Sequence, residues 1–517
     1  MQGLDVSALH EPSIYLQSSL GAFYPYYAFY GGTFYLVTGV VADLFSTGVA
    51  VFLAYAGAIA ANYFGWTWMA RQAGVRGWRS QLPGLIAVTA PMAVTNLYGR
   101  GGIPEVIGTS MLPLVAAAAI ALVREPRLRL RDMAALVVGL VFLTGSHALS
   151  MVWGLAFLAV LAVVLVACHW PFVKARATRL LAIAWLAVLA ACINAWMLGP
   201  TLVFHSRTIE NEPDPLSQEA FTDTGHLFGI FRDTPDLYPV IHGDINAQLP
   251  VLALLWALVT GLALWRFASA RSRALGVGLA TVLVVLVALN LHPALIGNLP
   301  ELLRYVQFPY RILTYVDFCV VGMVTLALAW LERRRRGPAA AAALTVLALI
   351  ALFNLVISVQ QNFEVRSWLT GRGEATASAV APPPSWYAFL QFGDGEGPVV
   401  QPTLKKPLTV PVEEGIRDSY RVEYPPGPAG TVQTNIATGP YLVDIGGATP
   451  VGRSEAGQMV VRLPASPERP RTVVVSGEDS PTVVLSRWLS LLATLAALIA
   501  AAAWLLLRRH RLQGPAN

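Results

Sequence analysis

Long apolar runs separated by short polar connections dominate the chain up to residue 359 and return after residue 482. A run of about 18 residues or more is long enough to cross a bilayer as a helix. The pattern predicts a polytopic α-helical membrane protein with about eleven transmembrane helices, at residues 47-70, 83-98, 103-123, 132-147, 149-168, 180-198, 248-266, 274-291, 311-331, 338-359 and 483-507.

The regions outside these runs divide the chain into domains. Residues 1-46 lack Lys and Arg and are rich in aromatic residues, which predicts a first extracytoplasmic loop with short helices at the membrane interface. Ten spans and a long outer loop at 199-247 make up a helical domain at 47-359. Short β-like runs between Gly and Pro in 360-482 predict an extracytoplasmic β-sandwich or jelly roll. Residues 483-517 form a final span with a basic tail.

Basic residues predict which way the chain faces. Alternate connections hold twenty Lys and Arg residues, whereas the short connections on the opposite side hold five. The positive-inside rule assigns the richer set to the cytoplasm. The C-terminus is then cytoplasmic, the β-domain is outside, and the N-terminus is also outside. Because no apolar segment would carry that N-terminus across, we expect a further transmembrane helix upstream of Met1. Direct translocation of an uncharged N-terminal tail is the alternative.

Composition narrows the class of protein further. The chain is 55% hydrophobic and 13% charged, and its net charge of +6 comes from residues between spans, so nucleic acid is not the expected partner. Cys168, Cys192 and Cys319 all fall in apolar runs, and there is no CxxC pair. Neither a disulfide framework nor a structural zinc site is predicted.

The turn from Tyr98 to Glu105 holds the first candidate chemistry. Arg100 has a planar fork of donors that suits phosphate or carboxylate. Pro104 suits the first turn of a helix, and Glu105 then lies near that helix's positive end, where it would act as a base or orient Arg100. The plainer interpretation, a hairpin turn with an interfacial arginine and a dipole-matching glutamate, stays open.

Further candidates lie on the same predicted side. Asp5 in the first loop would take a proton from a sugar hydroxyl, and His147 suits proton transfer or phosphate binding. The loop at 199-247, which contains His242, is long enough to cover a site. Arg304 and Arg311 would form a phosphate site together with Arg100. Each residue is equally explained as solvated or interfacial.

No nucleotide-binding loop or serine hydrolase motif appears in a convincing context, so the energy for a reaction outside the membrane needs another source. A lipid-linked activated donor that reaches the site through the bilayer would supply it.

Four short stretches resemble bacterial integral membrane proteins labelled "6-pyruvoyl-tetrahydropterin synthase-related", which look like members of the GT-C glycosyltransferase superfamily. The resemblance covers most of the chain, and it depends on Tyr24-Pro-Tyr-Tyr-Ala-Phe-Tyr-Gly-Gly-Thr-Phe-Tyr35, Tyr98-Gly-Arg-Gly-Gly-Ile-Pro-Glu105, Leu143-Thr-Gly-Ser-His147 and Gln307-Phe-Pro-Tyr-Arg311.

The resemblance implies an enzyme of the bacterial inner membrane that uses a polyprenyl-phosphate sugar and a glycan or lipid acceptor on the outer face. It implies a carboxylate base in the first outer loop, best matched by Asp5, sometimes with a divalent cation such as Mg or Ca. We take Glu105 as the second candidate base and Arg100, Arg304 and Arg311 as donor-phosphate ligands. The expected substrate-binding residues are Tyr26, Tyr27, Tyr30, Tyr98, His147 and His242.

Two other functions fit the same pattern. A transporter or flippase of lipid-linked saccharide would have charged or broken helices near the middle of the bilayer. A non-catalytic envelope scaffold would bind glycan through its β-domain.

Overall fold

A computed structural model describes most of the helical region and part of the β-region. The residues described are 16–17, 23–24, 31–99, 102–204, 227–229, 248–304, 309–333, 337–371, 413–414, 419–437, 442–446, 449–453, 458–478 and 481–512.

Helices dominate the described residues. In chain order they are α1 Gly32–Leu44, α2 Thr47–Ala73, α3 Leu82–Val88, α4 Pro91–Val94, α5 Ile103–Ser110, α6 Leu112–Arg124, α7 Leu130–Ser146, α8 Ala148–Lys174, α9 Ala177–Ile193, α10 Ala195–Phe204, α11 Val251–Leu264, α12 Ala270–Leu291, α13 Pro293–Ile296, α14 Glu301–Arg304, α15 Leu313–Arg333, α16 Pro338–Gly371 and α17 Pro481–Leu512. Short 3₁₀ turns occupy Gly77–Gln81, Trp265–Phe267 and Pro309–Ile312.

Seven helical segments of the described chain are long and apolar enough to cross a membrane, which makes this a multi-pass membrane protein. All seven coincide with predicted spans, and they are Thr47–Ala73, Ile103–Arg124, Ala148–Lys174, Ala270–Leu291, Pro309–Arg333, Pro338–Gln360 and Val484–Leu507. Many of their Leu and Val side chains are exposed in the isolated chain, as expected where a helix faces hydrocarbon.

The other four predicted spans differ in length or continuity. Two correspond to shorter apolar helices, Ala177–Ile193 and Val251–Phe267, and a third to the 17-residue helix α7. The span predicted at 83-98 is wrong as a continuous helix: α3 and α4 are short and are followed by a π-helix at Thr95–Gly99. Pro91 cannot donate a backbone hydrogen bond, so a new helix starts there.

The predicted first loop contains helix α1, which packs against α2 and α7. Phe34 near its start is buried, whereas Leu44 at its end is exposed. The two-residue strands β1 (Leu16–Gln17) and β2 (Phe23–Tyr24) pair antiparallel ahead of it.

One end of the bundle gathers the basic connections. Arg176 Nη1 donates to the Val123 carbonyl at 2.7 Å, and Arg179 Nη2 donates to the Pro126 carbonyl at 2.6 Å, so the start of α9 lies against the end of α6. Arg124 donates to the Gln72 carbonyl at the end of α2. Arg79 pairs with Glu332 of α15 at 2.9 Å. We call this the basic end; Ile103, His147 and Pro309 begin their helices at the opposite end.

Asn194 connects three helices near that opposite end. It separates α9 from α10 and is fully buried. Its Nδ2 donates to Thr144 Oγ1 and to the Val141 carbonyl, both at 2.7 Å, while its Oδ1 accepts a hydrogen bond from Thr33 Oγ1 at 2.7 Å. A single amide therefore holds α1 and α7 against the break between α9 and α10.

Two glycines allow this close packing. Gly31 has φ +90°, and a Cβ there would lie within 2 Å of the Ser146 carbonyl group. A Cβ on Gly145 would lie 2.5 Å from Thr33 Oγ1. The Thr144-Gly-Ser-His147 stretch is therefore a packing corner as well as a turn.

The last helix, α17, supplies the hydrogen bonds that the break at Asn194 removes. In an unbroken helix, the Trp196 N–H would donate to the Cys192 carbonyl. Here it donates to Ser490 Oγ at 2.8 Å, and that hydroxyl donates to the Cys192 carbonyl at 3.1 Å. Gly199 and Ser486 also meet closely, as small residues do where membrane helices pack.

The described β-region consists of β3 Glu413–Glu414, β4 Ser419–Tyr424, β5 Gly430–Ala437, β6 Leu442–Gly446, β7 Thr449–Arg453, β8 Gln458–Leu463 and β9 Arg471–Glu478. Two antiparallel sheets form, with orders β3-β4-β9-β6 and β5-β8-β7. Tyr424 is buried, and this burial raises the pKa of its phenol to about 12.

We expect Asn194→Ala to lower the free energy of unfolding by about 1–3 kcal/mol, because it leaves buried partners without hydrogen bonds. Thermal unfolding in detergent micelles measures the change. Asn298→Ala is the matched control, since that asparagine is exposed and donates to the Ala294 carbonyl of its own turn. Equal stability of the two variants would contradict the role of Asn194.

We expect Ser490→Ala to cost about 1–3 kcal/mol as well, because the Trp196 N–H and the Cys192 carbonyl lose their bridge. Thr494→Ala serves as control: Thr494 is exposed, and its hydroxyl donates within its own helix to the Ser490 carbonyl. A Ser490→Ala variant as stable as Thr494→Ala would show that the bridge does not hold α17.

Candidate functional site

Helix α5 begins at the end of the bundle opposite the basic end, and it brings Glu105 inside. Pro104 and Glu105 lie in its first turn, as the sequence predicts. Gly108 permits close approach to the next helices, because a Cβ there would already lie 3.3 Å from Ser150 Cβ and 3.5 Å from the Leu143 carbonyl oxygen. The polar side chains of α5 are therefore pressed against the corner between α7 and α8.

Glu105 forms an ion pair with Arg311. Its Oε2 lies 3.3 Å from Arg311 Nε, and the two side chains are only 5% and 14% exposed. Arg311 belongs to the 3₁₀ turn that precedes α15, so the pair joins elements more than 200 residues apart. Removing two charges from water is costly, so a buried ion pair at this end of the bundle is a functional-site candidate.

A cavity of about 240 Å³, counting the part open to solvent, adjoins this pair. Side chains from α5, α8, α15 and the turn before α15 line it, and most of the lining surface is apolar although it includes the two charged groups. The lining residues are Glu105, Thr109, Leu149, Ser150, Trp153, Arg311, Ile312 and Tyr315. The indole N–H of Trp153 is buried and has no hydrogen-bond partner among the described residues, so a bound hydroxyl or anion would gain a donor there.

Aromatic rings close the cavity on the bundle side. Trp153 and Tyr315 stack with centroids 6.3 Å apart, and Phe157 lies 5.1 Å from both Tyr315 and Phe318. Trp66 of α2 packs on Phe318 at 4.6 Å. This apolar column keeps water out beneath the ion pair, which strengthens electrostatic interactions in the cavity.

His147 lies beside the cavity rather than in its lining. It is the N-cap of α8: its Nδ1 accepts the Ser150 backbone N–H at 3.3 Å and lies 3.2 Å from Ser150 Oγ. An accepting Nδ1 leaves the ring proton on Nε2. The histidine predicted as a substrate ligand thus orients Ser150, which does line the cavity.

The remaining predicted residues divide into two groups. Arg304 is exposed, its Nε donates to the Leu299 carbonyl at 2.6 Å, and it does not line the cavity with Arg311. The predicted phosphate site that unites the two arginines is therefore not formed by this cavity, where Arg311 alone of the two is a lining residue. The backbone of Tyr98 is part of the π-helix. Asp5, Tyr26, Tyr27, Tyr30, Arg100 and His242 lie outside the described residues.

Sequence reasoning missed the polar residues inside the spans. Thr109 and Tyr315 each lie four residues after a predicted charge, on the same helical face as Glu105 and Arg311. Ser150 lies three residues after His147, and Trp153 lies three residues after Ser150, which is also the spacing of one helical face. Asp317, an acid buried inside the span at Pro309–Arg333, was also overlooked. Helical spacing of polar residues within apolar runs could have identified them.

A metal site is not apparent in the part of the chain that the structure describes. No group of three or more His, Cys, Asp and Glu residues lies close enough there to hold an ion. The divalent cation that the resemblance implies therefore stays a prediction.

No protein-family model, curated protein or solved structure matches this chain. The resemblance to GT-C enzymes also stays a prediction.

The buried pair makes a prediction about stability. Glu105→Leu or Arg311→Met alone leaves a buried charge and should cost about 3–5 kcal/mol, whereas the double variant should recover most of that loss. Thermal unfolding of all four proteins in detergent micelles gives the coupling energy. Additive losses would contradict the pairing.

The matched control is the Arg79–Glu332 pair at the basic end, where the side chains are 31% and 19% exposed. The same cycle with Arg79→Met and Glu332→Leu should give a coupling of only about 0–1 kcal/mol.

Proposed function

We propose that this chain is a membrane glycosyltransferase of GT-C type. It transfers a sugar from a polyprenyl-phosphate donor to a glycan or lipid acceptor on the outer face of the bacterial inner membrane. The observation that carries the proposal is the buried Glu105–Arg311 pair beside a cavity at the end of the bundle opposite the basic end.

The two charged groups fit the two demands of sugar transfer. An acceptor hydroxyl attacks the anomeric carbon and loses its proton, while the bond between that carbon and the phosphate oxygen breaks. Glu105 takes the proton, and Arg311 stabilises the charge that develops on the departing phosphate. A guanidinium has five N–H donors, so it can bind phosphate while its Nε faces a carboxylate.

The remaining lining groups suit a sugar or its phosphate. Ser150, Thr109 and Tyr315 offer hydroxyls, and Trp153 offers an N–H as well as a ring face. The enclosed part of the cavity is about 10 Å³, roughly the space of one water molecule. The lining side chains therefore move apart to admit the reacting part of the sugar, and the lipid chain lies against the apolar helices.

Topology supports the outer face. The positive-inside rule assigns the basic end to the cytoplasm, and the cavity lies at the other end. Helix α17 meets α9 and α10 through Ser490 and Ser486, so its start is also remote from the basic end. The β-region therefore joins the bundle on the cavity side. We propose that its two sheets pack as a sandwich that binds the glycan acceptor.

A lipid-linked saccharide transporter is the second candidate, because one observation favours it. A transporter is expected to contain broken helices, and the segment 82–99 is broken into α3, α4 and a π-helix.

Transfer of radiolabelled sugar from polyprenyl phosphate in proteoliposomes tests the proposal. We expect Arg311→Lys and Glu105→Gln each to lower transfer by about 100-fold or more, because they remove a bidentate donor and a base. Arg304→Lys, at an exposed arginine of the same end, is the control and should stay within about threefold of the parent. Unfolding temperatures, measured in parallel, separate lost chemistry from lost fold.

Undiminished transfer by both site variants would overturn the assignment. Movement of the labelled lipid between leaflets, without transfer to any acceptor, would favour the transporter instead.

A further inference from the structure

The basic end contains a surface that the proposed transferase chemistry does not use. It is formed by two turns, at residues 124–132 and 174–179, which together hold seven basic and two acidic side chains. We call it the two-turn surface. Both acids are engaged within the first turn: Glu125 pairs with Arg129 at 2.5 Å, and buried Asp132 pairs with Arg131 at 3.0 Å.

Hydrogen bonds hold the two turns together. Arg176 donates to the carbonyls of Val123 and Arg124, and Arg179 donates to the carbonyl of Pro126. Arg176 thus satisfies two carbonyls at the C-terminal end of α6 that have no partner within the helix, while Arg179 binds the turn just beyond it. The turns therefore present their other cations in a fixed arrangement.

Arg127 and Lys174 are those cations. Both are exposed, and neither forms an ion pair with any residue that the structure describes. They come from the two turns that Arg176 and Arg179 hold together. Since no described acid offsets them, the surface has a local excess of positive charge that attracts anions.

Aromatic residues beside the surface indicate what the partner is. Helix α8 kinks at His169, ahead of Pro171, and the turn beyond the kink exposes Trp170 and Phe172. Tryptophan next to cationic residues at the end of a long apolar helix is typical of the bilayer's headgroup region. Arg176 lies over the Phe172 ring at 4.6 Å, which joins the aromatic and cationic groups.

We propose that the two-turn surface binds the phosphate headgroup of an anionic phospholipid, with Arg127 and Lys174 as its principal ligands. The acyl chains then lie along α8, where exposed Val163 and Val160 face hydrocarbon. A soluble anion gains nothing from these apolar neighbours, which is why a lipid fits better.

Native mass spectrometry of the full-length protein, titrated with phosphatidylglycerol or phosphatidylcholine of the same chain length, tests this. The parent should bind phosphatidylglycerol more tightly. The variant R127Q/K174Q should weaken that binding by roughly fivefold for each charge removed, with phosphatidylcholine binding unchanged. R127K/K174R keeps the charges and should keep the preference.

The matched control is R462Q/R469Q. It removes the same charge from exposed arginines of the β-region, away from the basic end. The control should change phosphatidylglycerol binding by less than about twofold. Equal losses in the two double variants, or no preference for phosphatidylglycerol in the parent, would overturn the proposal. Since no sugar donor is present, the result is independent of glycosyl transfer.

Discussion

Hydrocarbon offers no hydrogen-bond partner to a protein. The structure is organised around the places where a helix breaks and its backbone groups lose their partners within the helix. Helix breaks are expensive in a bilayer because each frees backbone groups. At the Asn194 break, the Ser490 hydroxyl of the last helix connects the freed Trp196 N–H to the Cys192 carbonyl, and the Asn194 amide holds α1 and α7. Residues up to about 300 positions apart therefore depend on one another through a few buried polar atoms.

The same constraint shapes the candidate site. His147 caps the start of α8 and thereby fixes Ser150, while Gly108 allows α5 to press Glu105 and Thr109 against that turn. The packing corner and the cavity share the stretch from Thr144 to Ser150. A residue that sequence reasoning treats as a possible ligand, His147, instead positions a neighbour, which is how a polar group close to the site meets its own hydrogen-bond demand.

Some of this architecture follows from the sequence, because the physical rules involved are local. Runs of apolar residues locate seven long spans, and alternating basic connections gather at one end through contacts such as Arg79–Glu332. The break within 82–99 was not foreseen, since an apolar run does not reveal whether its hydrogen bonds are continuous. The pairing of Glu105 with Arg311 joins the first turn of α5 to a turn about 200 residues later, whereas Arg304 is exposed and bonds to the Leu299 carbonyl. Contacts between residues so far apart in the chain arise from the packing of helices, and no local pattern in a single sequence predicts them.

The energetic cost of burying the Glu105–Arg311 ion pair helps to decide whether the pair stabilises the fold or takes part in a reaction. Replacing a buried ion pair by apolar side chains of similar size is often neutral or stabilising, so stability alone gives little reason to keep one. The Arg79–Glu332 pair is partly exposed and lies where its charges also suit the basic end. Glu105 and Arg311 are not exposed in this way and do not lie among the basic connections. They are buried at the opposite end, above a column of aromatic rings. The phosphate-linked sugar that we propose as the ligand would use both charges, which is a reason to retain the pair despite its cost.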